Sequence, residues 1–424
     1  MNVLTIPTTR SVARNNPFLP AVRPLINHKN FSLEEKVTLL LTHDLVRLGW
    51  RLHSNTGKSF ELAAPQTYSK EVIRQAMAYS RNSLIDRNEV WIKEHTELGQ
   101  KNLASGESAL VSKIKPRIEV CETKEQNDLF RLFRYYWSSP SSDYVGRRMR
   151  LIIRDDGVKG SPVMGIAAIG SSIIHIPDRD EWIGWDTKTR SENLISMMDA
   201  YVIGALPPYN ELLGGKLVAY ILASNELRAL YKKKYRGKIT IIKGRTGSRL
   251  VLLATTSLYG MHSAQYARLK YGKTLLYQPI GSTSGYGSLH ISSETFEAMR
   301  ELAEAKGCNT SNRFGMGPNW RMRIIRSACD MLGLNSDVIL KHSFRRGLYA
   351  VPLAINYKSF LRGESKKPIY RNLPLNKLVI FWKKRWFDMR KQNPDVIKRV
   401  CSFSPASFHI TKTAISEEIR SLPQ

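Results

Sequence analysis

Residues 150–170 read RLIIRDDGVKGSPVMGIAAIG, and this stretch decides the fold class. The runs at 150–154 and 162–170 are short and rich in apolar residues, which is typical of β-strands. Between them, the dipeptide Asp156-Gly157 is a strong signal for a hairpin turn. The stretch therefore predicts two strands joined by a turn.

Helices and strands alternate after this hairpin. The residue pattern predicts helices at about residues 189–200, 210–231 and 262–270, and strands at 201–206, 249–255, 274–278 and 286–291. The order strand, strand, helix, strand, helix, strand, helix, strand is that of a mixed α+β domain. This element order also resembles the acetyltransferase fold related to histone acetylases.

The loop before the second of these helices is the part of the chain that bears on acyl transfer. In acetyltransferases a glycine loop at a helix start presents backbone N–H groups to the pyrophosphate of the cofactor. Here residues 211–216 read ELLGGK, with Glu211 at the basic or amide position and Lys216 at the second glycine position. Because the acidic Glu211 would repel a phosphate at the loop entrance, close helix packing is the favoured explanation of the glycine pair, with phosphate binding as the alternative.

Flanking segments complete an α+β architecture with a helical N-terminal module and a helical C-terminal module. A flexible arm is predicted at residues 1–30, which contain Pro7, Pro17, Pro20 and Pro24. Ser32 and Glu35 have the spacing of a capping box, which predicts that a helix begins there. We therefore divide the chain into a helical module at 31–136, a central α+β domain at 137–291 and a basic helical module at 292–424.

The charge of the chain is concentrated in two stretches. The sequence has 65 Lys and Arg against 36 Asp and Glu, a formal net charge of +29. Residues 228–249 contain nine basic residues and no acidic one, and residues 313–399 contain 20 basic and five acidic residues. Such focused charge predicts a polyanionic partner, with the phosphate backbone of nucleic acid as the first candidate. Generic solubility is the alternative.

Other bulk features exclude several protein classes. With 42% hydrophobic residues the chain can build folded cores, so it is not a disordered basic tail. The four cysteines have no paired spacing, which predicts neither a zinc ribbon nor a disulfide framework, and no metal site is predicted. No signal segment or apolar run of spanning length occurs, so we expect a cytoplasmic protein without a membrane partner.

The basic positions that we expect to contact phosphates lie at the end of one helix, on the helix predicted at 319–332, just after His342 and on the C-terminal helix. They are Lys232, Lys233, Lys234, Arg236, Arg321, Arg323, Arg326, Arg345, Arg346, Lys383, Lys384 and Arg385. Arg321 falls inside the apolar arc of its helix, in the first turn, where it can bend outward or pair with a buried carboxylate. The helix predicted at 375–391 has an apolar stripe with a basic face opposite it. For the basic face of this helix, a plain solvated face and contact with a membrane surface are the alternatives.

Weaker patterns suggest catalysis. Asp178, Asp180 and Asp186 cluster around two tryptophans and could hold Mg²⁺ for phosphodiester cleavage, although pairing with Arg179 or Arg190 explains them too. His342 could transfer protons, ligate a metal or contact phosphate. We expect no cofactor unless the protein is a nuclease, in which case Mg²⁺ is the expected one.

Several further segments resemble one protein family. The segments are residues 181–194, 257–270, 281–287, 313–317, 321–323 and 342–354. Together they resemble the DruA subunit family of the Druantia anti-phage defence systems, over about residues 151–370. The resemblance implies a cytoplasmic component of a multi-subunit bacterial defence system that includes a helicase-like protein. It attaches no established chemistry to these segments.

Three functions are compatible with these observations. The first is a subunit without enzymatic activity that binds DNA through the basic positions. The second is an enzyme, either a metal-dependent nuclease or an acyltransferase. The third is a scaffold whose basic surfaces meet acidic partner subunits.

Overall fold

A computed structural model describes residues 3–7, 31–55, 59–65, 68–137, 146–240, 244–258, 260, 265–288, 290–311, 320–341 and 345–413. The strands are β1 Val3–Pro7, β2 Arg51–Asn55, β3 Ser59–Ala63, β4 Pro116–Val120, β5 Arg148–Asp155, β6 Val163–Ser171, β7 Met197–Ala205, β8 Leu252–Ser257, β9 Lys270–Tyr271, β10 Thr274–Leu275, β11 Gln278–Ser282 and β12 Gly347–Pro352. The helices are α1 Leu33–Arg47, α2 Lys70–Arg87, α3 Glu89–Lys101, α4 Gly106–Val111, α5 Lys124–Arg134, α6 Pro177–Ile183, α7 Thr187–Asn193, α8 Gly214–Leu222, α9 Asn225–Tyr235, α10 Ser293–Ala305, α11 Trp320–Met331, α12 Ser336–Leu340, α13 Tyr357–Leu361, α14 Leu375–Trp382, α15 Asp388–Arg390 and α16 Pro394–Cys401.

A seven-stranded mixed sheet forms the centre of the fold. Its strand order is β11-β12-β8-β7-β6-β5-β4. Neighbouring strands are antiparallel, except that β7 and β8 are parallel and are connected through α8 and α9. The predicted hairpin is confirmed, because β5 and β6 pair antiparallel with Leu151 opposite Ala167. The α+β fold class is confirmed with it.

A buried aspartate at the end of β5 fixes the hairpin turn and its surroundings. One oxygen of Asp155 accepts hydrogen bonds from the N–H groups of Gly157, at 3.0 Å, and Lys115, at 2.7 Å. The other accepts from the hydroxyls of Ser112, at 2.6 Å, and Tyr209, at 3.0 Å. Because a buried carboxylate needs such partners, this residue joins the turn to β4 and to the loop before α8.

Helices cover both faces of the sheet. On one face, α8 packs against β6 and β7, and α14 packs on the outer side of α8. On the other face, α3 and α5 pack together over β5 and β6. Helix α8 is apolar on nearly all sides because it lies between the sheet and α14.

A second core lies beside the sheet. The three-stranded sheet β1-β3-β2 and α1 pack there with α10 and α11. The capping box at the start of α1 is confirmed, since Ser32 and Glu35 exchange side-chain hydrogen bonds with each other's backbone N–H. Elements that the sequence analysis assigned to the N-terminal and C-terminal modules thus share one core.

Several predicted elements have different bounds, and some were wrong. The predicted helix at 189–200 ends at Asn193, because the apolar residues from Met197 onward form β7. The predicted helix at 210–231 is two helices, since Ser224 accepts a hydrogen bond from the N–H of Leu227 and caps α9. Residues 265–271 form turns and β9 rather than a helix, and the described part of 286–291 contains no strand.

Several strands of the structure were not predicted from the sequence. β12 was not predicted, although it lies inside the central sheet between β11 and β8. β4 and the small N-terminal sheet were missed as well. Each of these strands is short, and β12 has a continuous apolar pattern that does not distinguish a buried strand from a buried helix.

Candidate nucleic-acid interface

The last turn of α9 carries three lysines in succession. Lys232 and Lys233 are exposed, and no acidic side chain in the described chain lies within ion-pair distance of them. Arg236 follows as an exposed residue, and its N–H donates to the carbonyl of Lys232 at 2.8 Å. The negative end of the helix dipole stabilises cations at this position, so the fold tolerates the cluster. Residues 232–236 therefore present positive charge to solvent.

Two arginines of β5 extend this charge, and the sequence analysis did not select them. Arg148 is exposed, and its carbonyl accepts a hydrogen bond from the hydroxyl of Tyr235 at the end of α9. Burial lowers the pKa of Lys234 above all; the charge of Glu122 opposes this shift, and the like charges of Lys238 and Arg150 add to it. We call Lys232, Lys233, Lys234, Arg236, Arg148 and Arg150 the α9 surface.

A second group of cations surrounds Lys216 in the first turn of α8. Its side chain is 8% exposed, and Nζ lies 4.7 Å from the centroid of the Trp386 ring and 3.5 Å from the carbonyl oxygen of Gln265. The guanidinium of Arg385 lies 4.9 Å from the same ring centroid. Burial, followed by repulsion from Arg268 and Arg385, lowers the pKa of Lys216 to about 8. We call Lys216, Arg268 and Arg385 the Lys216 cluster.

The basic face predicted on the C-terminal helix is only partly as expected. A π-helical turn at Lys383–Phe387 joins α14 to α15. Lys384 and Arg385 are exposed. Lys383 is instead anchored, since its ammonium donates to the carbonyl of Lys113, and burial lowers its pKa. Two of the three predicted contacts are thus available on this face.

Arg321 faces the protein interior, although it was expected to face a polyanion. Its guanidinium lies 3.9 Å from the ring centroid of Phe296. It also donates to the hydroxyl of Ser288, at 3.2 Å, and to the carbonyl of Ile291, at 3.1 Å. Burial lowers the pKa of Arg321 to about 10. The side chain therefore joins α11 to α10 and to the segment before it.

The two other arginines of α11 differ from each other. Arg323 is half-buried and donates to the carbonyl of Ser311 at 2.9 Å. Arg326 is exposed and donates to the hydroxyl of Tyr286. Only Arg326 of this helix is thus placed to meet a partner in solution.

The last predicted basic pair lies just before β12. Arg345 is exposed. Arg346 is half-buried, and its backbone N–H donates to the hydroxyl of Thr283 at 3.1 Å. His342 and the glycine-rich turn within 312–319 lie outside the described residues.

Asp180 is a buried carboxylate in contact with two arginines and a histidine. It accepts hydrogen bonds from Arg179 at 2.6 Å and from Arg190 at 2.9 Å. Nδ1 of His175 lies 2.7 Å from the same carboxylate. Arg179 is fully buried, so it requires this compensating charge. The predicted pairing with arginines is confirmed for Asp180.

The other two aspartates hold backbone groups. Asp178 accepts a hydrogen bond from the N–H of Ser282 at 2.7 Å, which ties α6 to β11. Asp186 caps α7 by accepting from the N–H of Thr189 at 2.7 Å, and its pKa is lowered by that bond. Across the described residues, no group of three or more His, Cys, Asp and Glu side chains could hold a metal ion.

The loop before α8 is engaged by the C-terminal helices. The carboxylate of Glu211 pairs with Arg399 at 2.8 Å, and its carbonyl accepts from Arg390 at 2.9 Å. A Cβ added at Gly214 would lie 2.7 Å from the carbonyl oxygen of Tyr209. Close packing therefore accounts for the first glycine of the pair.

Comparisons with known proteins agree with the resemblance found in the sequence. The family model described as Druantia protein DruA matches residues 67–363. A curated Druantia protein DruA from Escherichia coli (strain UMEA 4076-1) is 34% identical over 382 residues, which cover 89% of this chain and 91% of that protein. The chain belongs to the DruA family. No solved structure matches it.

Membership of the DruA family makes the protein a component of a Druantia anti-phage defence system, which implies other subunits. The region matched by the family model includes the α9 surface, Lys216 and Arg268, whereas Arg385 lies beyond it. In this DruA family member, no helix among the described residues is long and apolar enough to cross a membrane.

Sequence reasoning missed the residues that only packing brings together. Lys216 was considered solely as a replacement for a glycine, and Arg268 was left out of the interface. These two residues and Arg385 are far apart in the sequence, so no local pattern could have joined them. The one available signal was the apolar stripe of the C-terminal helix, which requires a packing partner.

Proposed function

We propose that this DruA family member binds the phosphate backbone of DNA as its part in Druantia defence. The observation that supports this proposal best is the Lys216 cluster. A buried lysine beside two arginines is unfavourable in the free protein, as the lowered pKa of Lys216 indicates. A phosphate group would offset that repulsion and would gain charge-assisted hydrogen bonds.

The α9 surface supports the same function by a second route. Its exposed lysines lack acidic partners among the described residues, so binding a polyanion would break no existing ion pair there. Each phosphate that such cations neutralise releases counterions, which gives affinity without sequence specificity. We therefore propose backbone binding, with sequence choice left to other subunits.

The proposed DNA binding also involves another subunit and requires no metal ion. We propose that the bound DNA is passed to or shared with a helicase-like subunit of the system, in the cytoplasm. Contacts between cations and phosphates need no metal, so we propose that binding requires no cofactor and persists when EDTA removes Mg²⁺. A nuclease would lose its activity under the same conditions.

The test measures binding of the full chain to a fluorescein-labelled DNA duplex by anisotropy over a salt series. We expect the double variant Lys384→Glu/Arg385→Glu to weaken binding at least tenfold and to reduce the slope of log K against log salt by about 2. The matched control is Lys93→Glu/Lys101→Glu, which makes the same charge change at exposed positions on α3.

Two outcomes would contradict the proposal. One is affinity that does not change with salt, since backbone binding must release counterions. The other is equal weakening of DNA binding by the control variant, because that would show that affinity depends only on the net charge of the protein. Copurification with the other subunits after nuclease treatment would instead favour a protein scaffold.

A further inference from the structure

A basic and aromatic segment projects from the end of β12. Residues 355–371 read INYKSFLRGESKKPIYR, with five basic residues and one acidic residue. Glu364 pairs with Arg362 at 2.6 Å, which leaves the other four cations of the segment without an acidic partner among the described residues. The segment returns to its starting point through a bridge between Ala354 and Tyr370. It is therefore a compact, strongly basic lobe on the sheet.

Aromatic rings and cations alternate along this lobe. Trp182 of α6 stacks on Tyr357, with ring centroids 5.4 Å apart and planes inclined by 24°. Nζ of Lys358 lies 4.5 Å from the centroid of Trp182.

The alternation continues at the other end of the lobe. The guanidinium of Arg228 lies 4.2 Å from the ring centroid of Tyr370 and donates to the carbonyl of Arg371 at 3.2 Å. We call Trp182, Tyr357, Tyr370, Lys358, Arg371 and Arg228 the aromatic strip.

Apolar surface beside the strip is left open to solvent. Ile355 is 66% exposed and Ile369 is 60% exposed, and they are adjacent, since the N–H of Ile355 donates to the carbonyl of Ile369 at 2.7 Å. The three rings of the strip are only partly buried. Adjacent exposed apolar side chains in cationic surroundings favour a role for this face in binding.

The charged forms of the cations in the strip are disfavoured by partial burial. Burial lowers the pKa of Lys358, and Arg362 lowers it further. Burial likewise lowers the pKa of Arg371 and of Arg228. An anionic ligand with flat apolar groups would suit this surface. Its charge would stabilise the cations, and its flat groups would cover the partly exposed rings.

We propose that the aromatic strip binds single-stranded DNA. This inference rests on the proposed function and adds the form of the DNA at a separate surface. The bases of a duplex are stacked on one another inside the helix, whereas those of a single strand are free to contact aromatic side chains. We therefore expect the rings of the strip to contact bases, which distinguishes a single strand from a duplex. Its cations would contact the phosphates along the strand.

The first experiment uses the fluorescence of Trp182 as a reporter. The full chain is titrated with an oligo-dT strand and, separately, with a duplex. We expect the single strand to quench tryptophan emission and Trp182→Phe to lose most of that quenching. The control is Trp50→Phe, because Trp50 is fully buried and cannot contact DNA, whereas Trp182 is partly exposed.

The second experiment measures affinity. Tyr357→Leu/Tyr370→Leu removes both rings while it keeps apolar bulk, so we expect oligo-dT to bind about tenfold more weakly or worse, with duplex affinity unchanged. Thermal melting checks that this variant folds. Where it does not, the single variant Tyr357→Leu at a half-buried position takes its place, and oligo-dT affinity should again fall while duplex affinity is unchanged.

Each outcome decides between the two proposals. Duplex binding with no quenching by oligo-dT and no effect of the strip variants would overturn this inference alone. Failure of both DNA forms to bind the unaltered chain would overturn the proposed function. Tighter binding of oligo-rU than oligo-dT, or of polyglutamate than either, would overturn the choice of single-stranded DNA as the ligand.

Discussion

Lys216→Met should make the folded protein more stable and its DNA binding weaker. Methionine keeps the length of the side chain and its apolar contacts against Trp386, and it removes the buried charge. In most proteins the loss of a lysine that contacts an aromatic ring is neutral or destabilising. The opposite direction is expected here, because the charge of Lys216 is opposed by burial and by two arginines.

The magnitude follows from the pKa shift. A fall from 10.5 to about 8 destabilises the charged folded state at neutral pH by about 3 kcal/mol, at about 1.4 kcal/mol per pKa unit. The contact with the Trp386 ring offsets about 1 kcal/mol of this. We therefore expect Lys216→Met to raise the free energy of unfolding by about 1–2 kcal/mol at pH 7.

The gain should depend on pH in a defined direction. Between pH 8 and 10.5 the unfolded chain still holds the proton of Lys216 while the folded chain has lost it. The stability of the unaltered protein therefore rises with pH in this window relative to the variant. The advantage of methionine should be largest at pH 7 and should vanish as the pH approaches 10.5.

Urea denaturation followed by circular dichroism at pH 7 and pH 10 measures this difference. The matched control is Lys377→Met, an exposed lysine of α14, which should change the free energy of unfolding by less than about 0.5 kcal/mol. Duplex affinity should fall about tenfold in Lys216→Met, as one charge-assisted contact is lost. Destabilisation by Lys216→Met at pH 7, or a gain that is unchanged at pH 10, would refute the reasoning.

Two further predictions separate structural charges from binding charges. Asp180→Asn should lower the free energy of unfolding by about 3 kcal/mol, since it removes the charged carboxylate that is hydrogen-bonded to the buried Arg179, and urea denaturation measures this. Duplex affinity should be unchanged in that variant, and a selective loss of Mg²⁺-dependent nicking would instead point to a nuclease. Arg321→Ala should lower the free energy of unfolding by about 2 kcal/mol, because hydrogen bonds from a charged donor to Ser288 and Ile291 are lost. Anisotropy should give that variant an unaltered salt slope, and a reduced slope would show that Arg321 reaches DNA after all.

The fold could be predicted from the sequence where its signals are local. The hairpin of β5 and β6 follows from two apolar runs and one turn dipeptide, and the first residue of α1 follows from the capping box of Ser32 and Glu35. β12 was missed because a strand buried on both faces has no alternation. Its position in the sheet depends on pairing with β8 and β11, and such pairing has no local signal.

The sequence showed where basic residues are concentrated, but it did not show which of them face solvent. Counting lysines and arginines located the end of α9 correctly as a solvent-exposed basic surface. The same count selected Arg321, whose guanidinium packs on Phe296 of another helix. Helical periodicity shows which residues lie on the same face of a helix. Which face is buried depends on the neighbouring elements that pack against it.

The π-helical turn at Lys383–Phe387 displaces the apolar stripe of the C-terminal helix and helps to form the Lys216 cluster. A π-turn adds one residue to a helical turn, so every side chain after it is displaced from the regular α-helical stripe. Met389 lies seven residues after Trp382, so a regular α-helix would place both side chains in one apolar stripe. Met389 is instead 70% exposed, and Phe387 is 3% exposed in its place. The indole of Trp382, just before the turn, donates to the carbonyl of Leu213 at 3.2 Å and fixes the helix against the start of α8. With the helix fixed there, the turn sets where Arg385 meets Lys216, and a regular α-helix through the same residues would direct its basic face elsewhere.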